Sequence, residues 1–370
     1  MIGQELSLVP KLYQKSVQEK IKELILGKGK SLSPWVVELD PTTACNLACH
    51  DCISANLLNQ GGFERERLKE VAKEFKTSGV KAVVLIGGGE PMAHPEFGNI
   101  VDYFSDNGLH VGVTSNGTMI KRYLDQLAYK TKWIRISVDA GTPEVFQLYR
   151  PHASGKSQFN SVISQMTELA KIKKGKLGYS FLILSKTDKK SGKIITNAVD
   201  IYKAAQLAKN IGCNYFEVKP AFDIMHFLNK QNQEIIDIVN LELKKAKKIE
   251  TEDFKVLSPE TINDFARGKD TQPKDYERCL VSELRTCVTP SGTYVCQYHR
   301  GTTNMKIGDS NVDSLSKIWS SERRENVMQK VNPKIHCKFH CIRHESNLQL
   351  EKMLSKKIKI NLADDYDFFI

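Results

Sequence analysis

The sequence predicts an α/β fold: a parallel sheet wrapped by helices, with a small cysteine-rich α+β unit behind it. Three observations carry this. Six β-rich runs alternate with helical patterns from Trp35 to about Phe222, a three-cysteine motif follows the first run directly, and five of the nine cysteines crowd between Cys279 and Cys341. The chain has 370 residues, room for one large domain or two medium ones. With 41% hydrophobic and 26% charged residues it is an ordinary globular composition, which excludes a disordered chain, a collagen-like fibre and a small disulfide scaffold.

Residues 1–33 read as an amphipathic helical segment without a signal-peptide core. The β-rich runs that follow are WVVELDPT (35–42), KAVVLIG (81–87), HVGVTS (110–115), WIRISVD (133–139), GYSFLIL (178–184) and NYFEVKPAF (214–222). Between them lie RERLKEVAKEFKTSG, EFGNIVDYFSDNG, IKRYLDQLAYK, SQFNSVISQMTELAKIKK and AVDIYKAAQLAKNIG, several of which stop at a glycine, the usual left-handed terminator. Such alternation gives either an open doubly wound sheet or a partial barrel, and both gather ligands where the strands end. Residues 34–222 are therefore the sheet domain and 223–275 a polar helical connector. Residues 276–345 form a second, cysteine-rich domain. Residues 346–370 are a helix and an acidic–aromatic tail that either packs back on the body or hangs free.

The chain carries a formal charge of +11, which points to anionic partners without naming one; Lys-rich helix faces are commonly just solvated. No apolar run approaches the ~20 residues of a membrane span, so a cytoplasmic location is expected. In a reducing compartment nine cysteines argue for metal or catalysis rather than disulfides.

Cys45, Cys49 and Cys52 form C-x3-C-x2-C within DPTTACNLACHDC. Three thiolates on one loop can hold three irons of a cubane cluster and leave the fourth open; zinc, with His50 as fourth ligand, is the alternative. IGGGEP (86–91) ends the second run, TSNGT (114–118) the third and SVDAG (137–141) the fourth. These four motifs, each after its proper strand, resemble the radical S-adenosylmethionine enzymes over residues 34–222. The resemblance implies a partial (β/α)6 barrel, a [4Fe-4S] cluster on Cys45, Cys49 and Cys52, and S-adenosylmethionine bound to that cluster. It implies that Gly88, Gly89, Glu90 and Pro91 receive the methionine amino group, with Asn116 lining the cavity. Ser137 and Asp139 would face the ribose hydroxyls or the methionine carboxylate. The chemistry implied is one-electron cleavage of the sulfonium, followed by abstraction of a substrate hydrogen atom by the adenosyl radical. One position departs from the family pattern. The residue before the third cysteine, usually aromatic and near the adenine, is Asp51 here, so adenine contacts are expected from His50, Tyr179 or Phe181.

Cys279, Cys287, Cys296, Cys337 and Cys341 make up the second cysteine set, with CVTPSGTYVC reading as a strand–turn–strand. Residues 275–345 resemble the SPASM/twitch domains that bind auxiliary clusters in this family. Two auxiliary clusters would need about eight ligands, so five cysteines allow one auxiliary [4Fe-4S] cluster, or zinc in its place. One thiol is then spare. It is either buried and inert, as Cys213 is expected to be, or placed to return a hydrogen atom to a substrate radical, which would make an epimerase. If every thiol serves the cluster or the structure, the auxiliary cluster accepts an electron and the enzyme is an oxidoreductase. Oxidation also needs a proton acceptor, for which Lys219, His226, Tyr298, His299 and Arg300 are candidates by placement.

With no peptide-recognition domain expected in the first 34 residues, and with a basic charge, the sequence favours a small polar substrate. That substrate would be carbohydrate-like or an aminocyclitol, phosphorylated or nucleotide-linked. A peptide-modifying enzyme is the nearer alternative. An RNA-binding or RNA-modifying iron–sulfur protein is the more distant one, since no aromatic–basic interleaving is present. A flavodoxin- or ferredoxin-like electron donor is implied, and no membrane partner.

Overall fold

The computed structural model describes residues 8–25, 33–188, 191–223, 225, 228–258, 262, 274–355 and 358–370. Five of the expected strands, β1 (Val36–Leu39), β2 (Ala82–Leu85), β3 (His110–Ser115), β4 (Trp133–Ser137) and β5 (Lys176–Ile183), lie side by side in chain order, all parallel. A short antiparallel pair, β6 (Ser185–Thr187) and β7 (Ile194–Thr196), stands outside that sheet, and the sixth expected strand follows as β8 (Tyr215–Pro220), parallel to β5. The alternation of residues along each strand decides the two faces. Val37, Leu39, Val83, Leu85, Val111, Val113, Ile134, Ile136, Phe216 and Val218 share one core with the surrounding helices. The opposite parity faces inward. There, Gly112 and Gly178 leave room for the Trp133 and Tyr215 rings, which an added Cβ would meet at 2.3 and 2.1 Å. Helices Arg65–Ser78 and Ile201–Ile211 stop at Gly79 and Gly212, with φ of 96° and 94°, as their sequences predict.

Two features go beyond the expected barrel. Within the connector, helix Gln233–Lys247, capped by the Asn232 side chain, returns the chain to a short parallel strand β9 (Lys255–Leu257) beside β8. The cysteine-rich segment joins the same sheet at its other edge: β10 (Arg285–Thr289) pairs in parallel with β1, placing Cys287 opposite Glu38. The antiparallel strands β11 (Gly292–Tyr294) and β12 (Lys306–Gly308) then extend it to ten strands.

The tail packs back. Phe368 lies 5.4 Å from the Trp35 ring and 4.6 Å from His110, and Phe369 lies 5.3 Å from Trp133. Both join a second core with Leu12, Val17, Leu280, Leu284 and Leu350. The Gln14 side chain accepts from the Asp367 N–H at 2.8 Å, and Lys11 pairs with Asp367 at 2.6 Å. Among the described residues, no helix is long and apolar enough to cross a membrane.

Candidate active site and the two cysteine groups

The glycine loop after β2 is shaped by its neighbours before any ligand arrives. At Gly89 a Cβ would stand 2.4 Å from the Ala44 carbonyl oxygen, so only glycine lets the cysteine-bearing loop pass this close. The backbone of Thr43 and Ala44 fills the space beside it. The Glu90 N–H donates to the Ala44 carbonyl at 2.8 Å. The Glu90 carboxylate is 2% exposed and accepts from Ser115 Oγ at 2.9 Å, from the Met92 N–H at 3.1 Å and from the Asn116 N–H at 2.7 Å. Burial raises its pKa against these donors. A buried carboxylate with a fixed orientation suits an ammonium group. Pro91 is buried and opens the single turn that Glu90 caps.

The loop of Cys45, Cys49 and Cys52 is strapped at two places. Thr43 bonds to Gly61 through both its N–H (2.8 Å) and its hydroxyl (2.7 Å). Further along, the Ala48 N–H donates to the Pro151 carbonyl, and Leu47 bridges His152. That second strap brings Arg150 to the cysteines: its Nη1 donates to Cys49 Sγ at 3.7 Å. Asn116 approaches Cys45 Sγ at 3.9 Å and is held by the Asn46 amide at 2.9 Å. Burial pushes the Cys49 thiol up to about 11, with Arg150 pulling the other way, and also raises Cys45.

Asp139, whose φ of 57° is left-handed, gives one oxygen to the Arg150 guanidinium (2.7 Å from Nε, 2.5 Å from Nη2) and the other to the Leu182 N–H at 2.7 Å. Both oxygens are thus committed within the chain. Burial opposes the charge on Arg150, yet Asp139 and Cys49 keep it protonated above its usual range. Ser137 ends β4 on the inner face, opposite Ser180 of β5. Arg150 and Asn46 were missed by the sequence reading. The signal available was the Tyr-Arg-Pro that closes helix Pro143–Tyr149.

The five later cysteines separate. Cys279, Cys296, Cys337 and Cys341 are mutual electrostatic neighbours, and their burial pushes Cys337 up to about 12 and Cys341 to about 11. Asn347 Nδ2 donates to Cys279 Sγ at 3.6 Å, the Arg343 N–H to Cys341 Sγ at 3.4 Å, and His299 Nε2 stands 3.5 Å from Cys337 Sγ. Cys287, expected among the metal ligands, is not brought to them. It is fully buried on the inner face of β10 beside Arg300, Asp40 and Glu38, because strand parity turns it into the barrel. Among the described residues no three His, Cys, Asp or Glu side chains converge as closely as the ligands of one ion. The all-thiol quartet and the three-cysteine loop offer the thiolate donor set that an iron–sulfur cluster takes.

The proposed proton acceptors are scattered. Lys219 pairs with Glu217 at 3.0 Å, and Arg135 reaches the same carboxylate at 3.5 Å; burial, then Arg135, lowers the pKa of Lys219. Tyr298 and His299 belong to the quartet: Tyr298 accepts from the Ile342 N–H at 3.2 Å and its ring lies 5.0 Å from Phe339. Arg300 pairs with Asp40. His226 lies outside the described residues. Tyr179 and Phe181, expected near an adenine, are fully buried in the core outside the barrel, because β5 presents Gly178, Ser180 and Leu182 inward. His50 is largely exposed, beside Asp51 at 3.3 Å.

Residues 39–188 match the family described as the radical SAM superfamily. The mycofactocin maturase MftC of Mycobacterium tuberculosis is 30% identical over 141 residues, covering 37% of this chain and 35% of the relative. The antilisterial bacteriocin subtilosin biosynthesis protein AlbA of Bacillus subtilis is 28% identical over 146 residues, 38% of this chain and 32% of AlbA. The chain thus spans about a third of the length of each of these two relatives. In fold it resembles Streptococcus suis SuiB bound to the precursor peptide SuiA, with a TM-score of 0.59 at 13% identity over 84% of this chain and 70% of SuiB. These likenesses overturn the expected small-molecule partner. Two of the relatives are a maturase and a bacteriocin-biosynthesis protein, and the structural neighbour carries a precursor peptide. Composition and charge had no means of separating a polar peptide from a phosphorylated sugar.

Proposed function

We propose that the chain, whose residues 39–188 match the radical SAM superfamily, is a radical SAM enzyme that modifies a peptide. The observation that supports this most is the likeness to the mycofactocin maturase, 30% identical over 141 residues. When bound, a [4Fe-4S] cluster with S-adenosylmethionine supplies reductive carbon–sulfur cleavage and hydrogen-atom abstraction, and a second cluster supplies an electron acceptor.

The chain's own residues would do the rest. Cys45, Cys49 and Cys52 would hold the first cluster, and Cys279, Cys296, Cys337 and Cys341 the second. Glu90 would receive the methionine ammonium, its carboxylate already oriented by Ser115, Met92 and Asn116. Arg150 offers a positive charge beside Cys49, suited to the methionine carboxylate, with Asp139 fixing its fork. Lys219, its charged form disfavoured by burial, would take the proton that the substrate releases on oxidation. Arg135 and Glu217 hold that amine in place.

Oxidation is the outcome that a four-thiol quartet supports. Epimerisation is a second reading, carried by Cys287: it is buried, inside the barrel and apart from the quartet, with its thiol kept protonated by burial.

The test is anaerobic incubation of the reconstituted chain with S-adenosylmethionine, dithionite and either synthetic short peptides encoded beside this gene or a panel of sugars and nucleotides. A peptide that raises 5′-deoxyadenosine formation and changes mass by about two hydrogens meets the oxidation reading. Unchanged mass in ordinary water, with one deuteron gained in deuterated water, meets epimerisation. Stimulation by the sugars or nucleotides alone would defeat the peptide reading.

A further inference from the structure

We infer that the turn Cys296–Arg300 is a mechanical link through which the four-cysteine group sets the affinity of the glycine loop for S-adenosylmethionine. The inference rests on the reading that residues 87–91 bind that molecule.

One side of the turn belongs to the quartet. Cys296 is one of its four sulfurs, His299 Nε2 stands 3.5 Å from Cys337 Sγ, and Tyr298 accepts from the Ile342 N–H, the residue after Cys341. The other side belongs to the barrel. Arg300 meets the Asp40 carboxylate twice, Nη2 donating to Oδ1 at 3.0 Å and Nε lying 2.5 Å from Oδ2 as an ion pair. Asp40 Oδ2 in turn accepts from the Gly88 N–H at 3.0 Å. Asp40 is wholly buried, and the Arg300 side chain is 11% exposed. Water therefore has little access to replace either contact.

The turn is too short and too tightly bonded to absorb movement. The His299 N–H donates to the Cys296 carbonyl at 3.1 Å, that of Arg300 to Gln297 at 3.3 Å and that of Thr302 to His299 at 3.0 Å. Gly301, at a φ of 78°, then passes so close to Leu57 that a Cβ would meet its Cδ2 at 3.0 Å. A shift of Cys296 or His299 is thus carried to Arg300, and from there through Asp40 to Gly88. Gly89 cannot give way, because Thr43 and Ala44 already fill the space beside it. Arg300 is accordingly a positioning residue for the glycine loop, and its fork geometry matters as well as its charge.

The test is the dissociation constant of S-adenosylmethionine, measured by anaerobic equilibrium dialysis on the reconstituted full chain, with iron counted in each sample. The variants are Arg300→Lys, which keeps the charge and loses the fork, Asp40→Asn on the other side of the link, the Cys337→Ala/Cys341→Ala pair, and the pair combined with Arg300→Lys. Each of the first three is expected to weaken binding about tenfold, within the usual range of coupling between sites, while keeping the iron of the first cysteine group. The combined variant is expected to bind no more weakly than the worse of its parents, because both break one link. A within-twofold constant for Arg300→Lys and Asp40→Asn, or combined effects that multiply, would overturn the coupling. A wild type that binds no S-adenosylmethionine, or a Glu90→Gln variant that binds as tightly as wild type, would instead remove the underlying reading of the loop.

Discussion

The two cysteine groups are built in opposite ways. Cys45, Cys49 and Cys52 sit within eight consecutive residues on one loop, held by backbone straps to Gly61 and Pro151 and touched by two side chains, Asn116 and Arg150. The quartet draws Cys279 from before a short helix, Cys296 from the end of a hairpin and Cys337 and Cys341 from a later loop. Its segments flank the pairing of β10 with β1, and Cys279 packs against the core that Leu280 and Leu284 share with the tail. The first group is therefore a local structure and the second a tertiary one. A local group should survive damage to the rest of the fold better than a tertiary group does.

The largest effect should come from the local group. Changing Cys45, Cys49 and Cys52 together to alanine is expected to lower iron from about eight to about four per chain and to abolish 5′-deoxyadenosine formation. Melting should change little, since none of the three side chains belongs to either main core. Iron that stays near eight would break the assignment.

The matching experiment on the tertiary group is sharper. Cys337→Ala/Cys341→Ala should remove about four irons and leave the first group loaded, whereas Cys287→Ala should remove none, because its sulfur faces Arg300 and Asp40 rather than the quartet. Iron lost on Cys287→Ala would place that thiol among the ligands after all. Cys287→Ala also carries a stability effect. Losing Cys287 opens a small hole in a dry interior and should cost about 1 kcal/mol in a urea melt of the iron-free chain.

The same contrast governs what could be read in advance. The barrel strands were legible because each carries an apolar run between helix stops, and the three-cysteine loop because its spacing is local. Glu90, Asn116 and the glycine loop were legible for the same reason. Which cysteine stands apart was not, since it depends on the parity of β10 against β1, and nothing in the sequence says that these strands pair. Arg150 was hidden likewise. Its role comes from a bridge between Leu47 and His152, a hundred residues apart, and not from its own neighbours. Tyr179 and Phe181 were misplaced because an aromatic alternation does not declare which face is the inside. The fate of the tail was open for want of any local signal.

That tail offers a smaller perturbation of the tertiary group alone. Phe369 is 5% exposed and packs against Trp133 in the core that also contains Leu280 and Leu284 beside Cys279. Phe369→Ala should cost about 3 kcal/mol. In a urea series followed by iron release, the quartet should empty at lower urea than in the wild type, with the first group unmoved. Simultaneous release of both groups in the variant, as in the wild type, would mean that the two share one cooperative unit.

Acid should do the same more gently, through His110. Its ring stacks on Phe368, and burial, with Lys132 nearby, pushes its pKa down to about 4, while Asp367 pulls the other way. In the unfolded chain the imidazole titrates near its ordinary value of about 6.5. Above that value neither state holds the proton and His110 contributes no pH dependence. Between about 6.5 and 4 the unfolded chain takes up a proton that the folded chain refuses, so stability falls as the pH falls through that window. His110→Gln, which cannot be protonated, should lose less stability over the same interval, the wild-type and variant curves converging toward acid. The docked tail is what keeps the ring dry, so the variant carrying Phe369→Ala should show a shallower dependence as well. Parallel curves for wild type and His110→Gln between pH 7 and 4.5 would mean that the ring meets water in the folded chain. The tail would then be a loose cover and not part of the support beneath Cys279.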